Sequence, residues 1–273
     1  MSRKKIIRIT TISFSLDTLL KGQLSFLNNY YEVVGIASGK KELQKVSKRE
    51  DIRVINIPMS REISLWQDLR SLILLVALFI KERPYIVHAN TPKASLLAMV
   101  AAWVTRVPYR IYTVTGLRFE TAIGNFRKLL IAMEKITCWC ATKVIPEGEG
   151  VKKALIREKI TNRPLRVILN GNINGIDTQH YDRTTLVNLL ASEIREKDKF
   201  TFCFVGRLVR DKGINELVFA FVRLYEQNVG VRLILVGPFE KELDPVLPET
   251  EWQILNHTAI SFVGFQQDIR PYL

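Results

Sequence analysis

Short runs rich in β-branched and aromatic residues alternate along the chain with longer segments whose apolar positions recur at helical spacing. The short runs at 5–11, 32–37, 52–57, 85–88, 110–114, 142–145 and 166–169 predict strands. The longer segments near 19–29, 40–49, 65–82, 92–105, 125–139 and 149–159 predict helices. From Ser64 onward, Trp66, Leu69, Ile73, Val76 and Ile80 share one helical face, which reads as a core-facing stripe closed by Pro84. Phe126, Leu129, Leu130, Met133 and Ile136 read the same way on the 125–139 helix. Strands alternating with helices of this length specify an α/β protein with parallel sheets.

The pattern breaks after Asn170. Gly171-Asn-Ile-Asn-Gly175-Ile-Asp-Thr-Gln is turn-rich, and a polar stretch with Asp182, Arg183, Glu193, Arg195 and Lys197 follows it. The alternation then restarts, with strands at 200–205, 231–236 and 260–263 and helices at 214–227 and near 249–256. Two successive doubly wound units are expected, one over 1–180 and a second over 198–273. A complete doubly wound sheet has about five or six strands, so the second unit reads as partial.

Composition places the chain among globular proteins, with 47% hydrophobic and 25% charged residues over 273 positions. Its 40 Lys and Arg outnumber 27 Asp and Glu, a formal charge of +13. The excess is uneven. Residues 1–170 hold 29 bases and 13 acids, whereas 171–273 hold 11 and 14, so the two units are expected to do different electrostatic work. Cys138, Cys140 and Cys203 have neither a disulfide framework nor zinc-site spacing, which fits a reducing cytosol. Arg8 interrupts the apolar stretch that follows the basic N-terminus, and no small-residue cleavage site follows it. The longest apolar run, 72–80, is short of the ~20 residues that cross a bilayer.

Phosphate-loop, dinucleotide-fingerprint and zinc-protease motifs are all missing from the sequence. The most informative segment is Phe204-Val-Gly206-Arg207-Leu-Val-Arg210-Asp-Lys212-Gly213, at the end of a predicted strand and the start of a predicted helix. Ligands in open α/β sheets bind at this carboxyl edge. Gly206 lets a ligand approach the backbone, Arg207 offers a planar fork, and Lys212 offers a flexible point charge for phosphate oxygens. On spacing alone, a solvated turn whose bases pair with Asp211 is an equal reading.

Gly206-Arg-Leu-Val-Arg-Asp-Lys-Gly213 resembles the G-R-L-x-x-x-K-G signature of retaining glycosyltransferases of family 4, whose GT-B fold has two Rossmann-like domains. Val87-His88-Ala-Asn-Thr91-Pro92-Lys93-Ala94 looks like the H-x-H-T-P-K-A motif of the capsular and O-antigen branch. Tyr112-Thr-Val-Thr-Gly116-Leu-Arg118, Asn174-Gly175-Ile176-Asp177 and Phe262-Val-Gly264-Phe265 match further family segments in order. The resemblance implies that Arg207 and Lys212 bind the donor diphosphate and stabilise it as a leaving group, with Gly206 beside them and Phe265 where the base lies. It implies no cofactor and no metal.

The resemblance also places His88 near the sugar or acceptor as a catalytic candidate, with a satisfied core histidine as the plain alternative. Asn90 replaces the second His of the motif, at a position that contacts the transferred sugar in relatives. Gly22 matches a glycine that brings a helix start close to the donor, or is a helix glycine tolerated for packing. Glu147-Gly-Glu149-Gly150 resembles the family's turn into a helix and reads as N-terminal dipole chemistry. The family's later E-x-F-G-x-x-x-x-E motif does not follow Phe265, so the chain resembles a glycosyltransferase cut off within its donor-side domain.

Arg127, Ile131, Lys135 and Trp139 recur at i+4 and mix cation with apolar surface. Such a face suits an anionic membrane, each base adding about 1 kcal/mol; a solvated face is the alternative. Nucleic acid as the partner is disfavoured, because the bases are scattered and no recognition motif is present. The resemblance thus implies a bacterial, cytoplasmic, peripheral membrane enzyme. It would move a sugar from a nucleotide donor, UDP-linked, with retention, to a lipid-linked saccharide in cell-surface polysaccharide synthesis. The alternatives are a non-catalytic truncated relative or a nucleotide-sugar 2-epimerase of the same fold.

Overall fold

The computed structural model describes residues 3–60, 63–242 and 244–273. The chain forms two compact units, Met1–Gly175 and Ile176–Leu273. Unit 1 contains, in order, β1 (Lys5–Ile12), α1 (Ser13–Leu19), α2 (Gln23–Asn28), β2 (Glu32–Ser38), α3 (Lys40–Glu50) and β3 (Arg53–Asn56). It continues with α4 (Leu65–Glu82), β4 (Ile86–Ala89), α5 (Pro92–Val104), β5 (Tyr109–Val114), α6 (Gly124–Cys140), β6 (Lys143–Pro146) and α7 (Glu149–Arg157). All strands are parallel in the order β3-β2-β1-β4-β5-β6. This is a doubly wound sheet whose order reverses between β1 and β4, where such sheets bind ligands.

β1 is central, so both of its faces are buried. On one face it meets Leu16, Leu20, Leu24, Leu43 and Val46 from α1–α3. On the other, Ile7 and Ile9 belong to the larger core that includes Leu75, Phe79, Ala98, Met99 and Leu130 from α4–α6. α5 lies against both α4 and α6, and so its apolar residues run round the helix instead of along one stripe.

Four expectations for this unit need correction. The 19–29 segment is not one helix: α1 and α2 are separated at Gly22, whose φ of +76° is left-handed. The α4 stripe faces outward, with Trp66 85% exposed and Leu69, Ile73 and Ile80 also exposed. Its packed residues are Ser71, Leu75 and Phe79, where the Ser71 hydroxyl donates to the Pro58 and Gln67 carbonyls. On α6, Leu130 and Thr137 point inward while Phe126, Leu129 and Ile136 are exposed. Both helices are apolar on two sides, and periodicity does not say which side packs. The run at 166–169 is no strand, because it finds no ladder partner and ends in a turn closed by Gly171 N–H donating to Ile168.

Unit 2 contains α8 (Thr185–Ile194), β7 (Phe200–Val205), α9 (Ile214–Gln227), β8 (Val231–Val236), α10 (Pro248–Asn256) and β9 (Ile260–Gly264). Its parallel sheet has the order β7-β8-β9. Leu208, Ile214, Val218, Phe221, Leu233, Leu235, Ile254 and Ile260 form its core. The polar stretch after residue 180 contains α8, whose first turn is capped by the Thr184 hydroxyl accepting from Val187 N–H. α8 packs against the short turn Arg270–Tyr272. β7 lies at the sheet edge, and Phe200, Phe202, Cys203 and Val205 are exposed along it.

Candidate functional site

The carboxyl edge of the unit 1 sheet gathers the first group of candidate residues. Parallel register sets Arg8 of β1 beside His88 of β4 and His88 beside Ile111 of β5. Arg8 is only 2% exposed, and no carboxylate among the described residues pairs with it. Its Nη2 donates to Asn90 Oδ1 at 3.0 Å, while Arg8 Nε and Asn90 Nδ2 find no partner. Burial pushes the Arg8 pKa down to about 9, which leaves it a cation at neutral pH.

His88 Nε2 lies 2.8 Å from the Thr113 hydroxyl. Burial, and then the Arg8 charge, hold its pKa well below the usual histidine value, so the ring is neutral. A neutral ring is a hydrogen-bonding group for a substrate hydroxyl, not a standing cation for phosphate. Asn90 is fully buried, its amide turned by Arg8 so that the NH2 is the unspent end. Thr11 N–H donates to the Thr91 hydroxyl at 2.8 Å, and Thr115 Oγ1 donates to Asn90 O at 2.9 Å, fixing the loop after β4.

Gly22 opens α2, yet its N–H donates to the Glu50 carboxylate at 2.9 and 3.1 Å, and Ser25 N–H donates to the same group at 3.1 Å. Burial alone would raise the Glu50 pKa. The Gly22 and Ser25 amides and Arg49 outweigh it and hold the carboxylate below its ordinary range. The α2 N-terminus therefore spends its amides on an internal anion, and Gly22 offers a ligand only open space above its Cα. The Asn-Gly turn after residue 170 closes nearby. Asn174 Nδ2 donates to Lys21 O at 2.7 Å, and Asn172 N–H donates to Glu147 O at 2.9 Å. In Glu147-Gly-Glu149-Gly150, Glu149 opens α7 and lies in its first turn.

The carboxyl edge of the unit 2 sheet is built differently. Each strand there ends in Val-Gly: Val205-Gly206, Val236-Gly237 and Val263-Gly264. Gly206 N–H donates to Val236 O at 2.9 Å, and Gly237 N–H donates to Gly264 O at 2.8 Å, so the three ends form one backbone ledge. A Cβ on Gly237 would overlap the Gly206 carbonyl, and its φ is +138°. Above this ledge Arg207 and Lys212 are exposed. Arg207 Nη1 pairs with Glu240, and Arg210 pairs with Asp244 at 3.3 Å. Asp211 N–H donates to the Asp244 carboxylate at 2.6 Å. The partners of this loop are thus carboxylates of the loop after β8, not Asp211.

The Lys212 ammonium has no side-chain partner among the described residues, and it closes the short turn Arg210–Lys212 before Gly213 starts α9. Phe265 follows β9 and is 65% exposed. An exposed fork, a free ammonium, a side-chain-free ledge and an open aromatic face can together hold a diphosphate and stack a base.

The glycosyl transferase 4-like domain family matches residues 29–171, and the glycosyl transferases group 1 family matches residues 189–273. The chain belongs to the glycosyl transferase 4-like family. It is 38% identical over 246 residues to the capsular polysaccharide biosynthesis glycosyltransferase CapM of Staphylococcus aureus, covering 89% of this chain and 63% of that protein. It is 31% identical over 180 residues to the Escherichia coli UDP-Gal:alpha-D-GlcNAc-diphosphoundecaprenol alpha-1,3-galactosyltransferase, covering 64% of this chain and 45% of that protein. The chain therefore spans about half to two thirds of the length of these relatives. The solved structure of HepE from Anabaena in complex with UDP-glucose superposes with a TM-score of 0.73 at 19% identity, covering 98% of this chain and 71% of that one. That likeness shows the fold, which is GT-B-like.

Within this glycosyltransferase family chain, the structure brings His88 and Asn90 together at the unit 1 edge, and Gly206, Arg207, Lys212 and Phe265 at the unit 2 edge. Sequence reasoning missed Arg8, Glu50, Glu240 and Asp244. Arg8 had a signal, a lone base inside an apolar strand. Glu240 and Asp244 had none, since they lie about thirty residues from the bases they hold.

Proposed function

We propose that the protein transfers a sugar from a UDP-linked donor, with retention and without a metal, to a polyprenyl-diphosphate-linked saccharide at an anionic membrane surface in capsular polysaccharide synthesis. The observation that carries this reading is the open cationic ledge of unit 2, where Arg207 and Lys212 stand exposed over the Val-Gly strand ends. Breaking the sugar–phosphate bond leaves negative charge on the β-phosphate of the departing nucleotide. Fixed cations stabilise that charge in the manner of a bound metal. Phe265 stacks the base, the neutral His88 ring and the Asn90 amide meet sugar hydroxyls, and the departing phosphate takes the acceptor proton.

The UDP-glucose held by HepE supports the donor class, and the substrate named for the Escherichia coli relative supports the acceptor class. Identity to CapM supports capsule synthesis and favours transfer over 2-epimerisation. No helix of the described residues is long and apolar enough to cross a membrane. The outer faces of α4 and α6 support surface attachment instead, because their exposed positions carry Trp66, Ile73, Leu129 and Trp139 with Arg70, Lys81, Lys128 and Lys135 and no carboxylate. This outer layer includes α4, which the sequence reading assigned to the core.

The test is incubation with UDP-sugars and a polyprenyl-diphosphate saccharide, with a chelator present, reading the product by NMR. An α-linked product from an α-linked donor is expected. Inversion, a requirement for metal, sugar exchange at C2 without acceptor, or no consumption of either substrate would each overturn the corresponding part of the reading.

A further inference from the structure

At the far end of α6 from the substrate edge, Lys135, Ile136, Trp139, Lys159, Arg163 and Pro164 line an open cavity of about 860 Å³. α6 begins after the carboxyl end of β5 and finishes before the start of β6, so its 17 residues carry it about 25 Å along the unit to the opposite edge of the sheet. The cavity is thus remote from His88 and Asn90 and separate from any donor or acceptor chemistry at that edge.

Its charge is one-sided. Lys135 and Lys159 are exposed and have no side-chain partner among the described residues. Arg163 donates from Nε to Cys138 O and from Nη2 to Trp139 O, each at 3.2 Å. It thereby covers the negative end of the α6 dipole, which would otherwise repel an anion. The acid next in sequence, Glu158, is spent on Arg127 at 2.8 Å and Arg157 at 3.3 Å. Apolar surface forms the rim, where the Trp139 ring lies 5.0 Å from that of Trp103, and both are exposed. Tryptophans bordering bases are the pattern of a membrane interface.

We propose that this cavity seats the phosphate headgroup of an anionic glycerophospholipid, with Lys135, Lys159 and Arg163 on the phosphate and the two tryptophans among the glycerol and upper acyl groups. The proposal rests on the membrane part of the reading above and adds to it a defined lipid site. It makes one corner of unit 1 the point where the charge of the first 170 residues meets the bilayer. A free phosphate offers the same oxygens but nothing for the apolar rim.

The test is cosedimentation of the whole chain with phosphatidylcholine vesicles, with and without phosphatidylglycerol, at about 0.1 M salt. Lys135→Gln/Lys159→Gln should lower binding to the anionic vesicles about tenfold or more. Lys40→Gln/Lys41→Gln removes the same charge from exposed positions of α3, on the other face of the sheet, and should lower it less than about threefold. Monomeric short-chain phosphatidylglycerol should change the emission that Trp139→Phe removes, and inorganic phosphate should not. Equal loss in the two doubles would overturn the site in favour of diffuse charge. An equal response to inorganic phosphate would make it a free-anion site. If the wild type binds anionic vesicles and the Lys135/Lys159 double does so undiminished, the site falls while membrane attachment stands. If the wild type ignores them, both fall.

Discussion

In the first unit, polar groups are spent internally: Glu50 takes the Gly22 amide, and at the carboxyl edge Arg8 takes Asn90 and Thr113 meets His88. At the carboxyl edge of the second, Lys212 has no side-chain partner among the described residues, Arg207 is held by the half-buried Glu240 carboxylate, and Phe265 lies open. In the proposed function, the same strand-end position in one fold class thus serves two chemistries. In that reading the buried edge, with its neutral His88 ring and an Arg8 cation spent on Asn90, offers hydrogen bonds to hydroxyls, and the open cationic ledge accepts phosphate. The net charges run the other way, since the basic half of the chain is unit 1. Its bases are spread over helices, strands and loops, so overall charge does not locate the proposed phosphate site.

The largest effect should come from the ledge itself. Gly237→Ala drives a methyl into the Gly206 carbonyl, backbone against backbone, and should destabilise unit 2 by about 3 kcal/mol or more in a denaturant melt. A wild-type melt would break the idea that the strand ends must touch. The second prediction concerns Glu134, buried in unit 1, which accepts from the Tyr112 hydroxyl at 2.7 Å. Burial pushes its pKa up to about 7, so the folded state holds a proton that the unfolded chain releases near pH 4.3. Stability of unit 1 should fall as pH rises from about 4.3 to 7, by at most about 4 kcal/mol, and then level off. Glu134→Gln should flatten that slope in melts at pH 5 and pH 8; a slope that survives the substitution would remove Glu134 as its source.

Smaller effects sharpen the contrast between the edges. Phe265→Ala should weaken UDP binding about tenfold, and Phe265→Tyr should retain it, because stacking needs only an aromatic face. Equal losses for both would remove the stacking role. Gly22→Ala meets no atom within 4 Å and should cost only the left-handed strain, about 1 kcal/mol, with little effect on nucleotide binding. A loss of UDP affinity matching that of Phe265→Ala would show that the unit 1 edge takes more of the donor than its geometry implies.

The strands of both sheets were legible in the sequence because buried parallel strands leave continuous apolar runs, and 5–11 and 231–236 are of that kind. The signature at 206–213 was legible because glycine and bases sit together at one strand end. Helix orientation was not. α4 and α6 are apolar on the packed side and on the outer side, and the residues chosen for the core, Trp66 and Ile73 among them, are the outer ones. Helix α8 was hidden by its polar setting, and the interruption at Gly22 by the length of the apolar pattern around it. The carboxylates that hold the cationic loop were invisible because tertiary pairing leaves no local spacing to read.

The central claim is that the phosphate of the nucleotide donor is bound by the unit 2 ledge through Arg207 and Lys212. Calorimetric titration of UDP onto the whole chain tests it most directly. Each lost charge-assisted contact is worth about 1.5–3 kcal/mol, so Arg207→Ala/Lys212→Ala should weaken UDP at least about 100-fold relative to wild type, with Asn90→Ala unchanged. Undiminished UDP affinity in the double variant, or a loss confined to Asn90→Ala, would contradict the account.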